Sequence, residues 1–303
     1  MNIVYFGNGP RGLKCLEEII KAGKNIVGAV GHYNCQSEIV EYAESKGIKI
    51  FQPEKVNNPN FIKELKELKP DLFILSGYNK ILKKEIINVP KLGCINLHGG
   101  KLPDYRGTAP INWQIINGEK EGGCCIVYVD EGIDTGDIIK QEYYLIDINE
   151  TATDIVEKQL KLFPKMLLRA IDDIEKNQVK SISQDPNEGC YYTRRYPGDG
   201  LIDWEKMTAF NIYNLVRALS DPYPNAFTFY NDKKVRIRKT KLMERKIKGM
   251  PGRIPFKQKE GVVAIAKDYG LLITEIAIED DKKTYNPKDM FKIGDNFKIN
   301  NKF

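Results

Sequence analysis

Short apolar runs alternating with helix-length segments are what most restrict the first hundred residues of this chain. Asn2–Gly7 (NIVYFG), Ile26–Gly31 (IVGAVG), Ile48–Gln52 (IKIFQ), Asp71–Tyr78 (DLFILSGY) and Gly93–His98 (GCINLH) are each bounded by turn residues. Between the first two lies a helical pattern near Leu13–Ala22, and a polar helix-like stretch around Ser37–Ser45 precedes the third. Continuous apolar runs of this length, spaced by helices, predict βαβ units and a mainly parallel, Rossmann-like sheet covered on both faces. A longer helix is expected over Thr151–Asn177, where Ile155, Leu160, Phe163, Leu167, Leu168, Ile171 and Ile174 recur at helical spacing and Thr151 and Asp154 offer an N-terminal cap.

At 303 residues the chain exceeds what one core usually needs. The turn-rich Ser183–Gly200 (SQDPNEGCYYTRRYPGDG) is the expected break, giving a domain over 1–183, a linker over 184–200 and a second domain over 201–303. The second domain pairs one helix, Ala209–Leu219, with strand patterns at Ala226–Tyr230, Val235–Thr240, Gly261–Ala266 and Leu271–Ile278, so a small antiparallel sheet or open barrel is predicted. Charge follows the same division. Residues 191–303 carry 23 Lys and Arg against 14 Asp and Glu, net +9, and the remainder is −3, within an overall +6. A basic second part is compatible with an anionic ligand. Its densest run, Lys233–Lys248, alternates charge with Val235, Ile237 and Thr240 and reads as an exposed strand with a solvated face, with nucleic-acid contact as the alternative.

Composition removes several classes. Hydrophobic content of 42% and charged content of 29% describe a globular chain rather than a collagen-like, disordered or coiled-coil one. No apolar run approaches the roughly 18 residues of a membrane helix, and MNIVYFG enters a strand directly, so a cytoplasmic protein without membrane partners is expected. Six cysteines without a CxxC, and only His32 and His98, point to buried free thiols and no metal.

Four segments carry polar chemistry. Gly7-Asn8-Gly9-Pro10-Arg11-Gly12 joins strand to helix, either as a tight turn or as an anion site at a helix N-terminus. Asn96-Leu97-His98 ends a predicted parallel strand, where open α/β sheets place their ligands, and its amide and imidazole point to one side. Tyr105-Arg106-Gly107 lies in a polar loop that either pins an aromatic to the core or closes over a substrate. Asp130-Glu131-Gly132-Ile133-Asp134-Thr135-Gly136 gathers three carboxylates in a hairpin-like loop. An NAD-dependent reading of the first turn lacks the acidic residue ending the second strand, where His32 and Tyr33 stand.

The ordered combination Ile95–Leu102 (INLHGGKL), Pro103–Trp113 (PDYRGTAPINW), Gly118-Glu119, Gly122 and Val129–Gly136 (VDEGIDTG) resembles the folate-dependent formyltransferases. Weaker similarity covers most of the chain, including Tyr192–Trp204 and Val216–Phe227. The resemblance implies a Rossmann-like catalytic domain followed by a β-rich, OB-like one, with 10-formyltetrahydrofolate as co-substrate. It places the catalytic set on Asn96, His98 and Asp134, and the folate pocket on Lys80, Ile81 and Leu82 together with Val129, Asp130, Gly132 and Asp134. Substrate contacts are implied at Asn8, Gly9, Pro10 and Arg11, and at Tyr105 and Arg106. Gly99-Gly100 departs from the small residue and Ser of many members. Among acceptors, the resemblance is closest to the sugar-nucleotide N-formyltransferases, in Ala109–Trp113 (APINW) and Arg195–Trp204. It implies formylation of a dTDP- or UDP-linked 3- or 4-amino deoxysugar for surface polysaccharide such as O-antigen, with Arg11, Arg106 and Arg195 facing the diphosphate, and a homodimer. The alternative is a methionyl-tRNA formyltransferase. That family has a long basic insertion after the second strand, whereas Gly31–Gly47 here is short and carries Glu38, Glu41 and Glu44 against one lysine, so no nucleic-acid partner is expected.

Overall fold

A computed structural model describes residues 1–279, 281 and 283–298. The chain divides into two compact units, one of Met1–Pro110, Glu121–Tyr144 and Val156–Tyr192, the other of Ile111–Lys120, Leu145–Ile155 and the residues from Thr193 onward. The second unit thus takes in two segments that the sequence places within 1–183, and the first takes in residues 184–192 of the expected linker.

The first unit holds a seven-stranded sheet. β1 (Asn2–Gly7), β2 (Asn25–Val30), β3 (Ile50–Phe51), β4 (Leu72–Ser76) and β5 (Cys94–His98) run parallel in the order β3-β2-β1-β4-β5, and the strands Glu121–Tyr128 and Ile138–Leu145 complete it. The strand Glu121–Tyr128 joins β5 antiparallel, with Asn96 opposite Val127 and His98 opposite Cys125. Alternation along β1 shows why it is central. Ile3 and Tyr5 pack into one apolar layer with Leu16, Ile19 and Phe163, while Val4 and Phe6 pack into the opposite layer with Leu65, Phe73 and Leu75. All four side chains are fully buried, and Ile3, Val4 and Phe6 are each worth roughly 1.5–3 kcal/mol of transfer free energy.

The first helix, α1, spans Gly9–Lys21. It begins before the predicted Leu13, so Arg11 and Gly12 are helical residues rather than turn residues. Gly12 admits no side chain, because a Cβ there would stand 2.9 Å from the Ser76 carbonyl oxygen. Helix α2 (Glu38–Ser45) is capped by Ser37 and turns Ile39, Val40 and Ala43 inward, leaving Glu38, Glu41 and Glu44 in solvent. The long helix is Ala152–Glu175, and Thr151 with Asp154 forms the expected reciprocal cap: Thr151 N donates to Asp154 Oδ2 at 2.7 Å and Asp154 N to Thr151 Oγ1 at 3.4 Å.

In the second unit, strands Ala226–Tyr230, Lys233–Leu242, Gly270–Ile278, Gly261–Ile265 and Phe256–Gln258 form an antiparallel sheet in that order. Helix Ala209–Ala218 covers it, sharing a core of Ile212, Val216, Ile237, Ile273 and Ile276. The basic strand is tied to partners in its own unit. Lys239 pairs with Glu275, Lys241 with Glu260, and Arg236 donates to the carbonyls of Glu279 and Pro224. No helix among the described residues is long and apolar enough to cross a membrane.

Candidate active site

Asn96 and His98 extend from the same face of β5 at the carboxyl edge of the sheet, while Leu97 between them is buried in the core. The loop between Tyr128 and Ile138 brings Asp134 to them. Asp130 organises that loop, its Oδ1 accepting from Gly132 N at 3.0 Å and from Thr135 Oγ1 at 2.6 Å. Asp134 adopts φ +54°, a left-handed conformation that aspartate tolerates, and this turns its carboxylate inward.

The carboxylate then joins three groups. Oδ1 accepts from Asn96 Nδ2 at 3.3 Å, and Oδ2 accepts from Gly107 N at 2.9 Å and stands 3.4 Å from His98 Nδ1. On the far side of the ring, His98 Nε2 lies 2.6 Å from the Tyr105 carbonyl oxygen. A carbonyl only accepts, so Nε2 carries the hydrogen of that contact, and Nδ1 is left facing Asp134. His98 is 5% exposed and Asp134 13%, which strengthens these interactions relative to water. The contacts of Asn96 and His98 to Asp134 are long, at 3.3 and 3.4 Å.

Tyr105 and Arg106 are placed differently from the expectation of substrate contact. Tyr105 is 2% exposed and stacks on Tyr192, centroids 4.8 Å apart. Arg106 is 1% exposed, and its guanidinium donates inward to Gln184 Oε1, the Glu188 carbonyl and the Asp185 carbonyl while lying over the Tyr191 ring. Its charge therefore anchors residues 184–191 beneath the site instead of facing a diphosphate. Gln184 completes the support by donating to the carbonyls of Asp134 and Gly136. Gly107 pairs with Tyr192, and a Cβ on it would meet the Tyr192 carbonyl at 2.3 Å, so only glycine lets its N–H reach Asp134. These supports come from a segment whose turn-rich composition reads as a linker; the cue available in sequence was its pair of tyrosines.

The two stretches expected around a folate lie together. Leu82 is buried in a cluster against which Val129 packs, and Lys84 Nζ meets Glu131 Oε1 at 2.7 Å. Lys80 and Ile81 are exposed, Ile81 at 73%. Asp130 and Gly132 form the loop's own turn. At the first turn, Asn8 N donates to the Ser76 carbonyl, Gly9 has φ +68° with open space beside it, Pro10 is exposed, and Arg11 turns toward Gln159 and the Phe163 ring. Arg195 lies over Trp113 and donates to the Asp199 carbonyl, and burial lowers its pKa from the ordinary arginine value. Among the described residues, no group of three or more His, Cys, Asp or Glu side chains is placed to hold a metal ion.

Residues 13–171 match the family described as formyl transferase, and residues 195–293 match the formyl transferase C-terminal domain. Among curated relatives, the methionyl-tRNA formyltransferase of Alkaliphilus oremlandii is 36% identical over 292 residues, covering 93% of this chain and 94% of that protein. Among solved structures, WlaRD, a sugar 3N-formyl transferase solved with dTDP and 5-N-formyl-THF, superposes with a TM-score of 0.69 at 24% identity, covering 90% of this chain and 97% of that one. The N-formyltransferase of Helicobacter canadensis, in complex with folinic acid and dTDP-3-aminofucose, does so with the same TM-score and identity, covering 91% and 99%.

Proposed function

The chain belongs to the formyl transferase family, and from that premise we propose that it moves the formyl group of 10-formyltetrahydrofolate onto the amine of a nucleotide-linked amino deoxysugar. The observation that carries formyl transfer is the convergence of Asn96, His98 and Asp134 at the carboxyl edge of the sheet. The acceptor nitrogen adds to the formyl carbon, and the carbonyl oxygen becomes an oxyanion. Asn96 keeps a second amide hydrogen for that oxygen, and the His98 ring stands beside it; one such donor is worth about 2.7–4 kcal/mol in the transition state. Asp134 accepts the amine proton directly or through water, and collapse of the intermediate expels the folate nitrogen, which takes a proton in turn. The folate lies along Lys80, Ile81 and Leu82 and the loop from Val129 through Asp130 and Gly132 to Asp134, with the acceptor entering past Asn8, Gly9, Pro10 and Arg11.

Glu38, Glu41 and Glu44 form an exposed acidic face on α2, whose first turn lies just past the end of β2, on the ligand edge of the sheet. RNA binding draws its affinity from phosphate neutralisation, and this face opposes it. Two structural neighbours carrying dTDP or a dTDP-amino sugar support the same reading. Methionyl-tRNA is the second reading, favoured by the 36% identical relative. We further place the protein in the cytoplasm as a homodimer serving surface-polysaccharide synthesis.

The deciding assay supplies 10-formyltetrahydrofolate with dTDP- and UDP-linked 3- and 4-amino sugars in one arm and methionyl-tRNA in the other, following release of tetrahydrofolate. Turnover with a sugar nucleotide is expected. Formylation of methionyl-tRNA with none of any amino sugar overturns the proposal.

A further inference from the structure

One buried amide connects the first helix to the catalytic loop. Gln159 lies on the inward stripe of helix Ala152–Glu175, one turn from Ile155 and one turn from Phe163, and is 1% exposed. An amide among apolar side chains is unfavourable unless its hydrogen bonds are made. Here both kinds are made. Nε2 donates to the Gly99 carbonyl and to Tyr144 Oη, each at 2.9 Å, and Oε1 accepts from Arg11 Nη1 at 3.4 Å. The Arg11 guanidinium lies 5.0 Å over the Phe163 ring, so the same helix holds it from two successive turns.

Gly99 directly follows His98, and its lack of a side chain is part of this arrangement. A Cβ at Gly99 would stand 3.0 Å from Gln159 Oε1 and 3.1 Å from Arg11 Nη1, pushing into the bond between them. The bare backbone after the catalytic histidine thus lets a guanidinium from α1 approach the catalytic loop, and Gln159 fixes the plane in which it lies. A leucine or methionine would fill the same space and bind neither partner.

We infer that Gln159 is a positioning residue that sets Arg11 for the anionic part of the acceptor and holds the Gly99 carbonyl in register with it. The inference rests on the proposed entry of the acceptor past the first turn, and makes Gln159 a determinant of acceptor affinity that touches neither substrate.

The test compares wild type with Gln159→Met, Arg11→Met and the double variant, reading kcat, KM for the acceptor, KM for 10-formyltetrahydrofolate and thermal unfolding. Gln159→Met should raise the acceptor KM about tenfold, with kcat and the folate KM within about twofold, because the lost interaction is a binding one. Because Gln159 acts through Arg11, the double variant should be no worse than Arg11→Met alone. Equal losses in every parameter with a lowered unfolding temperature would mean a purely structural amide, and additive losses would mean two independent residues; either outcome overturns the inference. If the wild type turns over only methionyl-tRNA, the sugar-nucleotide reading fails by itself, and the same comparison is read on the KM for that RNA.

Discussion

His98 Nδ1 stands 3.4 Å from Asp134 Oδ2, the oxygen that also accepts from Gly107 N at 2.9 Å. The carboxylate is thus fixed by backbone before it meets the imidazole. Asparagine keeps an oxygen for Gly107 N and tolerates φ +54°, so Asp134→Asn should fold normally. It removes the charge beside the ring and the proton acceptor, and kcat should fall about 10²- to 10⁴-fold. Steady-state kinetics with an unfolding curve on the same preparation checks this. A variant retaining most of its turnover would remove Asp134 from the chemistry.

Arg106 is expected to act on stability. Arg106→Met leaves the oxygens of Gln184, Asp185 and Glu188 without their charged donor in a buried setting. The loss should be about 2–4 kcal/mol. Urea unfolding measures it. Unchanged stability with a raised acceptor KM would return Arg106 to the substrate.

What the sequence made legible was what periodicity and strand ends encode. Five parallel strands appeared within a few residues of their places, as did the cap formed by Thr151 and Asp154, because buried strands and helix termini carry local signals. The shared side of Asn96 and His98 followed from a period of two. The burial of Arg106 and Tyr105 was not legible, for the opposite reason. An arginine in a polar loop looks solvent-facing until the distant segment that buries it is known, and here Gln184 and Glu188 lie some eighty positions away in sequence. Gln159 was hidden similarly, since one polar residue in an apolar stripe says nothing of Gly99 or Arg11, which only the fold brings to it.

The thiols divide into two groups by burial. Desolvation pushes Cys15 and Cys124 up to about 12 and moves Cys94 and Cys125 further in the same direction, so none forms the reactive thiolate near neutral pH. Cys35 and Cys190, which lie outside helices and strands, are exposed, against the expectation that the thiols are buried. Titration of the native protein with a chromogenic disulfide reagent should therefore label two thiols quickly, and six after denaturation. Rapid labelling of more than two in the native state would show that the sheet core opens far more readily than its packing implies.

His32 should make the protein less stable in acid. Its ring stacks on Tyr78 with centroids 4.8 Å apart and planes 7° apart, and among the described residues its Nε2 has no hydrogen-bond partner. Burial lowers its proton affinity from the ordinary value of 6.5, and the positive charge of Lys80 lowers it further. The unfolded chain therefore binds this proton more readily than the fold does, and unfolding takes up a proton. The contribution of neutral His32 to stability is complete above pH 6.5 and is lost as pH falls from there toward the folded value. Replacing His32 with Phe keeps a ring against Tyr78 and removes the titration. Urea midpoints measured at pH 7.5 and 5.5 should separate less for His32→Phe than for the wild type, whose midpoint falls more steeply in acid. An identical separation in the two proteins would mean that other groups govern the acid response and that this imidazole takes its proton as easily in the fold as out of it.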